Sequence, residues 1–254
     1  MGVANNRSIA WSCVQSFLNQ DWDVVLTYQD VKMASKMEKL IGQLPNNNLL
    51  VARPCNVKTD LPDFFAQQLP DILKDRPLNS IVHSLANAPN LHTPLLQTKL
   101  EDYLESHHIS AYSLLEVARE SQSLLSETES SITALSYLGA VRAISNYHVM
   151  GPAKASLEAI VRGLALEMGS LGTRVNAVSA GPLPTLAAKG GITNFSQMRD
   201  DVVNRAPLGN ITPEQVASTV SFLACEGTGI TGQTIYVDGG YSIVGGPSIS
   251  HEEK

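Results

Sequence analysis

Tyr147 and Lys154 stand seven positions apart in the stretch Ser145-Asn-Tyr-His-Val-Met-Gly-Pro-Ala-Lys154. At about 3.6 residues per helical turn, seven positions is nearly two turns, so a helix here would set both side chains on one face. The lysine charge would then favour the phenolate and make the tyrosine a better proton donor. Ala155, Leu157, Ala159, Ile160, Leu164 and Met168 supply an apolar face for such a helix, and Gly169 and Gly172 end it. The same spacing also fits a half-buried tyrosine at a helix start beside a solvated lysine, so context must decide. Pro152 lies between the two residues. Inside a helix it would delete a hydrogen bond and kink the axis, but in the first turn of a helix starting near Gly151 it is tolerated.

The elements around this stretch alternate. Gly2-Val-Ala-Asn-Asn-Arg-Ser8-Ile9 forms a small-residue turn into a helix that runs to about Asn19, with Trp11, Val14, Phe17 and Leu18 on its apolar side. A glycine followed by a helix N-terminus can cradle a phosphate, although G-x-G-x-x-G is not complete and Ser8 also reads as a simple N-cap. Strands are expected over 23–27, 49–52, 80–85, 131–136, 174–179 and 232–237. Helices are expected over 32–43, 61–73, 103–125 and 213–224, the last capped by Thr212. Asn46-Asn47-Asn48 reads as a turn. Strands alternating with helices imply an α/β fold with a doubly wound parallel sheet, read as one domain over residues 1–254. In such sheets ligands lie across the carboxyl ends of the strands. Those ends carry Gln29, Asn56, Val57, Ser84, Leu85 and Ala86. Residues 183–205, polar and holding Gly190 and Gly191, read as a mobile substrate flap. The tail from Gly245 to Lys254 is expected to fray.

The totals exclude several classes. With 254 residues, 43% hydrophobic and 17% charged, the chain can bury a large core. A net charge of -6 argues against general nucleic-acid binding. No apolar run approaches the ~18 residues that would span a bilayer, and no signal peptide is visible. Cys13, Cys55 and Cys225 read as reduced thiols in a cytoplasmic setting, although a plastid address carried by an extension would fit equally. His107 and His108 read as surface or packing residues, and no metal site is expected.

Six motifs occur in family order: the Gly2 to Ala10 turn, Ser84-Leu-Ala-Asn-Ala-Pro89, Ser136-Tyr-Leu-Gly-Ala140, Tyr147 with Met150 and Lys154, Arg174-Val-Asn-Ala-Val-Ser-Ala-Gly-Pro182, and Val237-Asp-Gly-Gly240. Together they resemble the NADH-dependent enoyl-acyl carrier protein reductases, a Tyr-x6-Lys branch of the short-chain dehydrogenase/reductase superfamily, over residues 2 to about 243. The resemblance implies a Rossmann-like fold, NAD (as NADH), an acyl carrier protein bearing the substrate and a homotetramer. It implies hydride transfer to the β-carbon of a trans-2-enoyl thioester in fatty acid biosynthesis.

By matching position, Tyr147 is the donor to the enolate oxygen, Lys154 holds the nicotinamide ribose, and Tyr137 is the second active-site tyrosine. Gly2, Ser8 and Ile9 match the pyrophosphate turn, Gln29 the adenosine ribose, and Asn56 and Val57 the adenine contacts. Ser84, Leu85 and Ala86 match the nicotinamide-side loop, and Leu183 the carboxamide contact. Gln29 is neutral with no adjacent arginine, which favours NAD over NADP.

Three departures from the family follow. Met1 stands where the family's first, central strand ends, so the sheet is expected to lack that strand, to close up, or to receive another segment. Asn56 replaces a usual aspartate. The flap's basic residues, Lys189, Arg199 and Arg205, are few for docking an acidic carrier. Two other readings are another NAD(P)-dependent short-chain reductase and a shortened, catalytically impaired paralogue acting as a non-enzymatic subunit.

Overall fold

A computed structural model gives the fold and describes residues 1–44, 49–186, 188 and 193–246. The expected turn at 46–48, the flap residues Lys189, Gly190 and Gly191, and the last eight residues lie outside the described set.

Helix α1 (Ile9–Leu18) leads to β1 (Val24–Tyr28), α2 (Ala34–Ile41) and β2 (Leu50–Pro54). A helical stretch α3 (61–73), interrupted by a π turn at Phe64–Gln68, precedes β3 (Ser80–His83). The long helical stretch α4 (100–121) holds a second π turn at His108–Tyr112 and leads to β4 (Ser130–Tyr137). Then come α5 (Met150–Met168), β5 (Thr173–Ala180), α6 (Phe195–Arg205), α7 (Pro213–Cys225) and β6 (Thr234–Val237). All strand pairings are parallel, as the alternation predicts.

The strands form two sheets, β1-β2 and β3-β4-β5-β6. The sheet has not closed up. Met1, Gly2 and Val3 lie between β1 and β3 and bond to both: Met1 N–H donates to the Val82 carbonyl at 2.6 Å, and Gly2 and Val3 N–H donate to the Thr27 carbonyl at 3.1 and 2.9 Å. The expected gap therefore persists below this single rung.

Helices cover both faces. Leu157, Val161 and Leu164 of α5 pack with Ile132 and Val175 on one side, while Cys13 and Phe17 of α1 join Val178, Val220 and Leu223 on the other. β4 and β5 are buried almost end to end, which parallel strands covered on both faces require. Thr212 caps α7 in a capping box with Gln215, as expected.

One stretch gains detail and one expectation needs correction. Residues 183–205, read as a flap, hold helix α6 in their second half. Phe195, Met198 and Val202 give that helix an apolar stripe, and Phe195 and Val202 are buried. Tyr147 is not on the central helix. The helix starts at Met150, and Tyr147 sits in the preceding turn between Asn146 and His148, both with positive φ. Pro152 thus occupies the first turn, where its missing N–H has no helical acceptor to lose.

Candidate active site

The side chains singled out above gather at the carboxyl edge of the sheet. Lys154, in the second turn of α5, is 4% exposed and points at the strand ends. Its ammonium donates to the Leu135 carbonyl of β4 at 2.7 Å and to the Leu85 carbonyl after β3 at 3.3 Å. An ammonium has three donors, so one remains for a ligand. Burial brings the Lys154 pKa down to about 8, and the Glu158 charge one turn further along opposes that shift. Glu158 is itself 5% exposed and accepts from the Ser136 hydroxyl at 2.5 Å.

Tyr147 is 8% exposed, and its ring meets the Tyr137 ring edge-on with centroids 4.8 Å apart. Gly139 makes this arrangement possible. A Cβ there would lie 2.3 Å from Cδ1 of Tyr147, so only a hydrogen lets the ring lie against the turn after β4. Gly151 allows the approach of α5, since its Cβ would lie 3.2 Å from the Gly139 carbonyl oxygen. The Tyr147 hydroxyl makes no hydrogen bond among the described residues. Burial first, then Tyr137 and Glu158, hold its pKa well above the ordinary phenol value. Lys154 does not offset that rise. The lysine is held instead by two strand-end carbonyls, a contact that Tyr-x6-Lys spacing cannot reveal. Tyr137, at the end of β4, donates to Met198 Sδ of α6 at 3.4 Å, and burial followed by Tyr241 raises its pKa.

The turn at the chain start lies beside this group. Gly2 has φ 92° and packs on β3, where a Cβ would stand 2.3 Å from the Ser84 carbonyl oxygen. No L side chain fits there, in conformation or in space. Ser8 caps α1: its hydroxyl accepts from Trp11 N–H at 3.3 Å and donates to the Asn5 carbonyl at 2.7 Å. The N-cap reading of Ser8 holds, and Ile9 opens the helix at the same edge. Ser84 donates its N–H to Met1, and Leu85 offers its carbonyl to Lys154, with Ala86 exposed beyond.

Gln29 is exposed just past β1 and is followed by Asp30, which caps the next turn through Lys32 N–H. Asn56 shapes the turn after β2, accepting from Lys58 N–H at 3.1 Å, with its own N–H donated to Asp60, and Val57 is buried beside it. Leu183, 3% exposed, follows β5. Among the described residues no hydrogen bond joins Asn56 or Gln29 to Tyr147, Tyr137 or Lys154. They lie at the far end of the same edge, a span suited to an elongated ligand.

These residues fit a nicotinamide dinucleotide. The glycine that no Cβ could replace leaves bare backbone beside a helix N-terminus, where a pyrophosphate is favoured. The unused donor of a buried ammonium stands beside it, where Lys154 bonds the Leu85 carbonyl.

Sequence reasoning missed three residues here. Glu158 was signalled by its spacing of four from Lys154. Met198 was signalled by the helical stripe within the flap. His83 closes β3 fully buried, with Nε2 2.8 Å from the Ser113 hydroxyl, and burial and then Lys154 bring its pKa down to about 3. Nothing in its local sequence marks it. His107 and His108 behave as packing residues: His107 stacks on Tyr103, and His108 approaches Glu116 at 3.5 Å. Among the described residues no cluster of His, Cys, Asp or Glu could hold a metal ion, and no helix is long and apolar enough to cross a membrane.

The family model described as enoyl-(acyl carrier protein) reductase matches residues 2–242. The chain is 39% identical to an NADH-named enoyl-[acyl-carrier-protein] reductase of Bacillus cereus, over 96% of each chain. It is 37% identical to an NADPH-named counterpart of Staphylococcus aureus, over 96% of this chain and 95% of that one. A solved structure of the enzyme from Anaplasma phagocytophilum in complex with NAD superimposes with a TM-score of 0.89 at 34% identity, covering 98% of this chain and 94% of that chain. The resemblance drawn from six motifs thus extends over nearly the whole length, and the chain belongs to the enoyl-(acyl carrier protein) reductase family.

Proposed function

We propose that Tyr147, Lys154 and Tyr137 carry the family's reaction in this chain: NADH-dependent reduction of the trans-2 double bond of enoyl thioesters in fatty acid biosynthesis. The observation that carries this reading is the buried Lys154 ammonium, fixed by two carbonyls at the strand ends, together with a protonated tyrosine whose hydroxyl has no hydrogen-bond partner among the described residues.

When bound, reduced nicotinamide supplies the hydride that adds to the β-carbon of the substrate. As that bond forms, electrons move from the double bond to the thioester oxygen. Tyr147 keeps its proton at neutral pH and donates a hydrogen bond to that oxygen, where the negative charge develops. Water is scarce around the ring, so the hydrogen bond is stronger than it would be in solvent. Lys154 orients the ribose and adds positive charge to the same edge. Tyr137 packs edge-on against Tyr147 and is tied to α6 through Met198, so it positions the donor and lines the acyl path.

Gly2, Ser8 and Ile9 serve the pyrophosphate, Ser84, Leu85 and Ala86 the nicotinamide side, and Leu183 the carboxamide. Gln29 serves the adenosine ribose, and Asn56 and Val57 the adenine. The neutral Gln29 followed by Asp30 supports NAD over a cofactor with a 2′-phosphate. Lys36, on α2, donates to the Ala4 carbonyl at 2.8 Å.

The substrate is carried as a thioester of acyl carrier protein. Arg205 gives that carrier little to grip, because it bonds Asp201 at 3.3 Å and lies over the Tyr241 ring. We read residues 1–254 as one cytoplasmic reductase domain working as a homotetramer. Leu166 on α5 and Leu100 and Leu104 on α4, all well exposed, support helix-to-helix assembly.

The test is NADH oxidation by the purified chain with a short trans-2-enoyl thioester, Tyr147→Phe alongside. Loss of one such donor typically costs 10²–10³ in turnover. We expect a fall of that order with the NADH dissociation constant unchanged. A variant with full turnover would remove Tyr147 from the role.

A further inference from the structure

Ser106, Ser110, Ser113 and Ser121 of α4 are all fully buried. Three of them donate to carbonyls of their own helix: Ser106 to Asp102, Ser113 to Ile109 and Ser121 to Ala118. That is an ordinary use of serine inside a helix. Ser110 differs. It sits in the middle of the π turn His108–Tyr112, and its hydroxyl reaches the loop that leaves β3. It accepts from the Asn87 N–H at 3.0 Å and donates to the Asn87 carbonyl at 3.1 Å. One buried hydroxyl thus satisfies both backbone groups of an exposed loop residue. Ser113, about one turn on, secures the other end of the loop. Its only proton goes to the Ile109 carbonyl, so it accepts from Nε2 of His83, the last residue of β3.

Between these anchors little else holds the loop. Among the described residues, the backbone of Leu85, Ala86 and Ala88 makes a single hydrogen bond, accepted by the Leu85 carbonyl from the Lys154 ammonium. The Ser110 hydroxyl therefore fixes the segment whose carbonyl holds that ammonium. It also lies 3.7 Å from Met150 Sδ, and the Met150 N–H donates to the Tyr147 carbonyl at 2.9 Å. It stands where the loop, α4 and the start of α5 meet, and single π turns within helices are frequent at functional sites. We propose that Ser110 is a positioning residue for the nicotinamide half of the cofactor: it holds residues 85–87 in a fixed place relative to Lys154 and Tyr147. This rests on the assignment of Ser84, Leu85 and Ala86 to the nicotinamide side. Gln29, Asn56 and Val57, which serve the adenosine half, share no hydrogen bond with Ser110 among the described residues, so that half binds independently of the hydroxyl.

The experiment titrates the parent chain and Ser110→Ala with NADH and with ADP-ribose, which is the cofactor without its nicotinamide. Calorimetry reads the dissociation constants, and hydrogen exchange follows the Asn87 amide. Asn87 is exposed, so its freed backbone groups turn to water and the fold survives the change. Ser110→Ala should bind NADH about tenfold more weakly, the worth of one net hydrogen bond, with ADP-ribose binding unchanged. Its Asn87 amide should exchange roughly tenfold faster than the parent's. A hydroxyl that served only the stability of the fold would weaken both ligands alike, so equal losses would overturn the proposal, as would unchanged NADH binding. A parent that binds NADH no more tightly than ADP-ribose would remove the nicotinamide-side reading of residues 84–86, and the proposal with it. If Ser110→Ala does not fold, the parent decides. NADH and not ADP-ribose should then slow exchange at Asn87, and equal slowing by both would overturn the proposal.

Discussion

Lys154 is the residue on which binding and stability pull apart. Its pKa, about 8 in the fold, lies below the ordinary value of 10.5, so the folded protein strains to keep it charged. Below pH 8 both folded and unfolded chains hold the proton, and the burial cost is complete. Between pH 8 and 10.5 the unfolded chain binds more protons than the folded one, so this group's contribution to stability rises with pH. Lys154→Met should therefore unfold at higher temperature than the parent at pH 7, by about 3 kcal/mol in stability, and the difference should shrink towards pH 10. The same variant should lose most of its NADH affinity, read by fluorescence titration. A stabilised variant that still binds NADH tightly would contradict the role given to the ammonium. Tyr147 and Lys154 became legible as a pair through the motifs around them, because their spacing alone fits a half-buried tyrosine beside a solvated lysine as well. The reason offered by spacing, a shared helical face, was not the one the fold uses. Positive φ at Asn146 and His148 lifts the tyrosine out of the helix, and the lysine's partners come from residues 85 and 135, far away in sequence.

At the scale of elements, the turn Leu138–Ala140 sets the position of the donor. Gly139→Ala would drive a methyl group into the Tyr147 ring, and the Tyr137 ring 3.4 Å from the same point leaves little room to yield. Turnover should fall at least tenfold while circular dichroism stays unchanged. Wild-type turnover would mean the ring can shift freely. Strands and helices of the sheet were legible to within about three residues at most ends, since period and Gly/Pro punctuation are local signals. The helix within the flap went unread because its polar residues hide a sparse stripe of Phe195, Met198 and Val202. That stripe is apolar only on the side turned to Tyr137 and the core, and a composition reading averages it away.

For the whole molecule, two halves share one active edge. In the function proposed above, β1 and β2 carry the adenosine side, and β3 to β6 carry the chemistry. They are joined at the edge by the rung of residues 1–3 and beneath it by α1, which packs Cys13 and Phe17 against the α7 side of the larger sheet. The sequence predicted a gap at the centre but not whether the walls would collapse into it. That outcome depends on how the flanking helices hold the strands apart. The divided sheet has a consequence for motion as well as for binding. Amide hydrogens of β4 and β5, bonded on both sides and buried, should exchange last, near the rate set by global unfolding. Those of β1 and β2 should exchange faster and together, as one unit that opens while the larger sheet stays closed. NADH would bridge the two units, so its addition should slow exchange in β1 and β2 far more than in β4. Uniform exchange across both sheets would mean that α1 alone makes them a single cooperative body.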